Sequence, residues 1–272
     1  MPRLPDALLA ACLLAPEACA PADAARSASL APDEARARLA ALRPWLAEQQ
    51  RLLWARRREA LLVCLQGPDC AGKDGAIRHV FGGLGPVGLR VHNFRQPSAA
   101  ERAEGFLARY RRCLPAPGEL ALFNRTPYEG VGADLFDGLI DAAALPARLA
   151  QLAAFEDELA AGGIRLLKVY LRISRAEQKA RLRRRLLDPR KHWKLCAGDL
   201  EAHRQFDARE AHWARMLAAS TRPQAPWAIL PADRKWLRDL LLASLLAREF
   251  EALDQRWPAP PLPFGLDELE HA

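Results

Sequence analysis

Gly67-x4-Gly72-Lys73 is the place in this chain where residue types and spacing first point to chemistry. Glycines at those positions let the backbone curl so that successive amide N–H groups point inward, a geometry side chains would block. A following helix N-terminus adds partial positive charge and Lys73 a full one, so Gly67, Gly72, Lys73, Asp74 and Gly75 are read as a cradle for a phosphate. Asp74 stands where the general motif has a Ser or Thr that ligates magnesium. Asp69 lies inside the loop, where a carboxylate facing phosphate is repelled unless a metal intervenes. It is read as the residue that orients Mg²⁺, with a plain turn residue as the alternative. Cys70 is close to Lys73 and to a helix start, both of which lower a thiol's pKa, so an oxidation-sensitive thiol without a catalytic role is expected.

A second polar cluster, Asn124-Arg125-Thr126-Pro127-Tyr128-Glu129, follows the apolar run Leu120 to Phe123. The planar fork of Arg125 suits a transferring phosphoryl group. Glu129 suits a metal or an acceptor hydroxyl, the alternative being an ordinary surface ion pair with Arg125. Between Arg172 and Lys194 ten cations face only Glu177 and Asp188, a local balance of +8 against +7 for the whole chain. Arg181 and Arg185 share a helix face at i, i+4, and like charges so spaced repel unless an anion lies between them. A linear polyanion fits this run. Nucleic acid is the generic candidate, but few aromatics that would stack bases lie near it.

These groups need elements to hold them. Leu61 to Leu65 is a continuous apolar run, as expected of a strand buried on both faces, and a helix is predicted through Ile77 and Val80. Further strands are predicted at Leu89 to Phe94, Leu120 to Phe123, Ile164 to Ile173 and Trp227 to Leu230. Helices are predicted at Ala99 to Cys113, Pro146 to Ala161, Arg175 to Leu187, Asp199 to Ala219 and Lys235 to Leu253. Such alternation gives a mostly parallel sheet between helices, with ligands at the strand C-termini. An earlier helical stretch opens at Asp33-Glu34, and Pro44 should kink or split it.

Composition sets the outer limits. The chain has 272 residues, half of them apolar and 27% charged, which excludes a wholly disordered protein. No run of about 18 uncharged apolar residues exists, which excludes a multi-span membrane protein. The six cysteines include no Cys-x-x-Cys pair, which speaks against a zinc site or a disulfide framework and suits the cytoplasm. The expected organisation is an Ala/Pro-rich leader over 1–30, one domain over 31–256 with a basic lid at about 175–200, and a Pro-rich tail over 257–272, extended at Trp257 to Pro263. Ala7 to Ala15 with Ala18-Cys19-Ala20 only faintly resembles a signal peptide.

Gly67-Pro68-Asp69-Cys70-Ala71-Gly72-Lys73-Asp74-Gly75, Asn124 to Glu129 and Asp188-Pro189-Arg190-Lys191-His192-Trp193-Lys194 together resemble the polyphosphate kinase 2 family. The likeness runs from about Asp33 to Leu253 and includes Val91 to Ser98 and Ala225 to Asp233. It implies an α/β, P-loop nucleoside-kinase-like three-layer sandwich with a helical basic lid, and Mg²⁺ as cofactor. It implies phosphoryl transfer between inorganic polyphosphate and a nucleoside mono- or diphosphate, without nucleic acid or membrane, by a chain expected to be a homo-oligomer. Asp69 and Lys73 would be the acid and lysine of the phosphate loop, Asp69 the metal residue and Arg125 the arginine of the second motif. Arg181, Arg185, Lys191 and Lys194 would be lid cations for polyphosphate. Asn124 and Glu129 resemble the branch that accepts both mono- and diphosphates. Pro127, Gly130, Leu135 and Ala153 depart from the family pattern, and bear on the acceptor and on turnover more than on polyphosphate binding. An ATP-dependent nucleotide kinase and a non-catalytic polyphosphate-binding protein are the alternatives.

Overall fold

The computed structural model describes residues 3–15 and 30–272. Five strands, β1 (Ala60–Gln66), β2 (Leu89–Asn93), β3 (Leu120–Asn124), β4 (Ile164–Arg172) and β5 (Trp227–Pro231), form one parallel sheet in the order β2-β3-β1-β4-β5. Every residue of β1 is buried, as its unbroken apolar run requires of a central strand covered on both faces. The strand's period of two divides its side chains. Leu61, Val63 and Leu65 join the core beneath helices Pro32–Arg56 and Lys235–Glu251, while Leu62 and Cys64 join the opposite core with Leu152, Phe155 and Trp227. This is the expected three-layer sandwich.

The strands and the helices Leu145–Ala161, Arg175–Leu187 and Lys235–Glu251 lie where the sequence places them. Three expectations change. Helix Pro32–Arg56 runs unbroken through Pro44, because Leu39, Leu42, Leu46 and Leu53 bury one side of it while Pro44 faces solvent. The helix expected over Ala99 to Cys113 is two short ones, Ala99–Ala103 and Ala108–Arg111, parted near Gly105 at φ 93°. The helix expected over Asp199 to Ala219 divides at Gln205 into Gly198–Arg204 and Phe206–Ser220.

Of the leader expected over 1–30, residues 1–2 and 16–29, with Ala18-Cys19-Ala20, lie outside the described residues. Residues 3–15 pack against the sheet edge: Leu9 and Cys12 are fully buried, Leu14 N donates to Trp227 O at 2.8 Å, and Ile229 N donates to Cys12 O at 2.7 Å. They cover β5, which as an edge strand would otherwise present unpaired backbone. Residues 255–262 carry no regular structure, and a short helix, Leu266–Glu270, follows. Among the described residues no helix is long and apolar enough to cross a membrane.

Candidate active site

The loop leaving β1 is shaped by close approaches that only glycine allows. Gly67 has φ 150°, and a Cβ there would lie 2.6 Å from Leu171 O of the neighbouring strand. Gly72 has φ 95°, and a Cβ there would lie 2.3 Å from Arg238 Nη1. Gly75 meets no such limit, its nearest contact being an ordinary 3.6 Å. Lys73 opens the following helix and turns its ammonium back, donating to Gly67 O at 2.7 Å and Pro68 O at 3.2 Å. Desolvation lowers the pKa of Lys73, against the pull of Asp69.

Two arginines brace the loop from beneath. Arg238, almost fully buried, pairs with Asp239 and donates to Gly72 O at 3.2 Å. Arg181 donates to Cys70 O at 2.8 Å, Ala71 O at 2.9 Å, Ala232 O at 2.5 Å and Asp233 O at 3.2 Å, and its Nε pairs with Glu177 at 2.7 Å. The guanidinium is spent on protein acceptors. Arg181 therefore ties the lid helix to the phosphate loop, where the sequence reading had it gripping polyphosphate.

In front of the loop opens a cavity of about 440 Å³, which gathers residues far apart in sequence. Asp69, Lys73 and Asp74 come from the loop and its helix, Asn124 and Arg125 from the end of β3, and Arg185 and Lys194 from the lid. Register explains the meeting of the first two groups: β1 and β3 pair in parallel with Leu65 beside Asn124, so both chains leave the sheet together. Asn124 Nδ2 donates to Asp74 Oδ1 at 3.2 Å, and its Oδ1 is buried without a partner. Lys194 reaches across from the lid to Asp74 Oδ2 at 3.1 Å. Desolvation pushes the Asp74 carboxyl up, but the hydrogen bond and charge of Lys194 outweigh it and hold the group below its ordinary value. Arg125, at φ 69°, lies 3.4 Å from both Asp69 and Glu129.

Some expected residues stand elsewhere. Glu129 is not part of this cavity's lining; it accepts from Gln66 Nε2 at 3.2 Å and lines a neighbouring cavity of about 500 Å³. Lys191 pairs with Asp188 at 2.8 Å outside the cavity wall. The charge of the lid is also less bare than its sequence implies. Glu177 accepts from both Arg181 and Arg184, and Arg175 pairs with Asp207 at 2.6 Å. Cys70 reverses its expectation. Its thiol is buried, and desolvation pushes its pKa up to about 11, overriding the nearby cations.

Sequence reasoning missed Arg238 and the support under the second motif. Lys168, on β4 and fully buried, donates to Glu156 Oε1 at 2.6 Å and Ser220 O at 2.7 Å, and Tyr128 hydrogen-bonds the same carboxylate. That anchor fixes the 3-10 turn Pro127–Gly130, which carries Glu129. Gly130, one of the departures, has a reason: a Cβ there would lie 2.6 Å from the Phe106 ring, which stacks 4.5 Å from the Arg148 guanidinium in the second cavity. The one available signal for these residues was a Lys set between the apolar Leu166-Leu167 and Val169 in the middle of β4.

Among the described residues no three His, Cys, Asp or Glu side chains form a ready metal cage. Asp69 and Asp74 nevertheless both line the cavity in front of the loop. One or two carboxylates, with water and phosphate oxygens completing the shell, is how Mg²⁺ is commonly held at phosphoryl-transfer sites, so the residues fit that ion.

A family model described as Polyphosphate kinase 2 (PPK2) matches residues 29–257. The chain is 37% identical to the AMP/ADP-polyphosphate phosphotransferase of Meiothermus ruber, over 82% of this chain and 83% of that one. It is 34% identical to the ADP-polyphosphate phosphotransferase of Rhodopseudomonas palustris, over 78% of each. The crystal structure of polyphosphate kinase 2 from Arthrobacter aurescens superposes with a TM-score of 0.86 at 32% identity, covering 95% of this chain and 90% of that one. The family model, the curated relatives and the shared fold agree: the chain belongs to the polyphosphate kinase 2 family.

Proposed function

We propose that this protein moves a phosphoryl group between inorganic polyphosphate and a nucleoside mono- or diphosphate. The observation that carries this reading is the meeting of loop and lid: Lys73 from the phosphate loop and Arg185 and Lys194 from the lid line one cavity, beside a second cavity that opens on Glu129. The first cavity suits the end of an extended polyanion, and the second the acceptor nucleotide. Acceptance of both mono- and diphosphates is supported by Asn124 and Glu129 and by the relative named for AMP and ADP.

The chemistry is an in-line displacement. A terminal phosphate oxygen of the acceptor attacks the end phosphorus of polyphosphate, and the shortened chain leaves as an anion carrying the bonding pair. Such a transfer asks mainly for positioning and charge neutralisation. Lys73 and the loop amides hold the terminal phosphate, Arg125 spans its equatorial oxygens, and Arg185 and Lys194 hold the chain and exclude water. Asp69, with Asp74, would hold Mg²⁺, which when bound neutralises charge on the phosphate oxygens. The five free cysteines among the described residues suit the cytoplasm.

The test is a panel of AMP, ADP, GMP and GDP incubated with long-chain polyphosphate and Mg²⁺ and analysed by chromatography. ATP formed from ADP with no nucleotide donor is the expected result, abolished by Lys73→Ala and Asp69→Asn while circular dichroism stays unchanged. Near-normal turnover by either variant rejects these roles. A requirement for ATP as donor, or tight polyphosphate binding without transfer to any acceptor, rejects the function.

A further inference from the structure

Eight basic side chains line the two cavities, and seven of them are engaged by the protein. Lys73 bonds loop carbonyls, Arg125 sits against Asp69 and Glu129, Arg185 donates to Lys194 O and Lys194 to Asp74. In the second cavity Arg102 donates to Pro97 O, Arg109 to Arg95 O, and Arg148 to Gly130 O and Asp134. The eighth is Arg95. Its side chain is exposed and makes no hydrogen bond or ion pair among the described residues, and it alone among them lines both cavities.

We propose that Arg95 is a catalytic residue of the transfer, its guanidinium spanning the donor phosphoryl group in the first cavity and the acceptor's terminal phosphate in the second. The inference rests on the function proposed above and adds to it a residue for the step in which the two substrates meet. Two polyphosphorylated ends brought into line repel each other, and a cation common to both cavities is placed to offset that repulsion. A guanidinium suits the task because it stays protonated and offers several donors in one plane. It gives up no proton. The bond that forms joins acceptor oxygen to phosphorus, the bond that breaks joins phosphorus to the bridging oxygen of the chain, and the charge of Arg95 is unchanged throughout.

Its backbone is held firmly while its side chain is left free. Arg95 O accepts from Arg109 Nη2 at 2.8 Å, and the Arg109 guanidinium stacks 5.0 Å from the ring of Phe94. Phe94 N donates to Asn124 O at 3.0 Å, and its ring packs 4.9 Å from Phe123. The root of Arg95 is thereby fixed to the end of β3, next to Arg125. An arginine merely covering the surface needs no such anchoring.

The experiment compares wild type with Arg95→Ala and Arg95→Lys by steady-state kinetics with polyphosphate and ADP. The expected result for Arg95→Ala is a kcat lowered about 10²- to 10³-fold, as for loss of one donor aimed at developing charge, with each KM within about fivefold of wild type. Arg95→Lys recovers part of kcat, and the melting temperature of both variants stays at the wild-type value. A rise in one substrate's KM with kcat intact assigns Arg95 to a single cavity and overturns the proposal, as does full activity of Arg95→Ala. A second measurement, ADP affinity by calorimetry with magnesium chelated, is made with and without polyphosphate. Spanning predicts that Arg95→Ala weakens ADP about three- to fivefold more when polyphosphate is present, about 0.7–1 kcal/mol of coupling. If wild type transfers nothing, the function proposed above fails, and this coupling still decides the role of Arg95: equal weakening in both conditions overturns it.

Discussion

Replacing Arg181 by Ala separates a structural brace from a polyphosphate ligand. The wild-type guanidinium is 7% exposed and serves four loop carbonyls and Glu177. Truncation leaves Glu177 with Arg184 alone and removes the donor from the carbonyls of Cys70 and Ala71 in the phosphate loop and of Ala232 and Asp233 after β5. Removing one partner of a buried, hydrogen-bonded charge typically costs about 3–5 kcal/mol. The upper part of that range assumes that water does not reach the abandoned carbonyls, each of which costs about 1–3 kcal/mol if left dry. With a urea m-value of about 3 kcal/mol/M, near the top of the usual range, the midpoint falls by about 1–1.7 M. The assay is urea unfolding followed by circular dichroism without any substrate, paired with the KM for polyphosphate. Arg181→Lys restores little, because one ammonium cannot serve the Cys70 and Ala71 carbonyls and those of Ala232 and Asp233 at once. An unchanged urea midpoint together with a raised KM refutes the reasoning and returns Arg181 to the ligand set.

Gly72→Ala should cost about 2–3 kcal/mol, from a non-glycine residue forced into the left-handed region and a displaced Arg238. Gly75→Ala, with ordinary contacts, should leave the melting temperature within a degree or two, and equal losses in the two variants would contradict the close approach at Gly72. Cys196, exposed in the lid, should be alkylated by iodoacetamide at pH 8. Cys70, with its pKa pushed up to about 11, holds only about a thousandth of its thiol as thiolate at that pH and should stay unlabelled until the protein unfolds. Its labelling should climb with pH toward 11, and peptide mapping that finds Cys70 and Cys196 modified at similar rates at pH 8 would overturn that assignment.

What was legible in the sequence was local or periodic. β1 could be read from five consecutive apolar residues because burial on both faces leaves no polar alternation to interpret. The phosphate loop could be read because its glycines answer to backbone geometry, which spacing encodes directly. Arg181 and Arg185 show where this stops. At i, i+4 they share a helix face, yet one turn decides that Arg181 passes beneath the loop and Arg185 enters the cavity in front of it. Nothing in a helical repeat distinguishes those fates. Cys70 failed for a related reason: a helix start and a lysine are visible in sequence, whereas the burial that outweighs them is not. Arg95 lies in a motif that could be recognised but not interpreted, since lacking a partner is a property of the folded neighbourhood.

The paired state of the other cations also constrains how a polyanion is taken up. Lys73, Arg125, Arg185 and Lys194 around one cavity would repel one another if bare, and the fold tempers this with Asp69, Asp74 and Asp199. The Lys194–Asp74 and Arg125–Asp69 pairs are partly open to solvent, at 31% and 67% and at 40% and 46% exposure, where such contacts are worth about 0–1 kcal/mol. They are weak enough to be exchanged. A phosphate carrying nearly two charges competes well for Lys194 and Arg125, and the carboxylates it displaces, Asp74 and Asp69, are the two placed to hold magnesium beside that same phosphate. Donor binding and metal binding then favour each other through one swap of partners, with no movement of the sheet. Arg95 stands outside that exchange, because it has no carboxylate to give up. Its charge is available to whichever phosphate arrives first, which is what a residue joining two cavities requires.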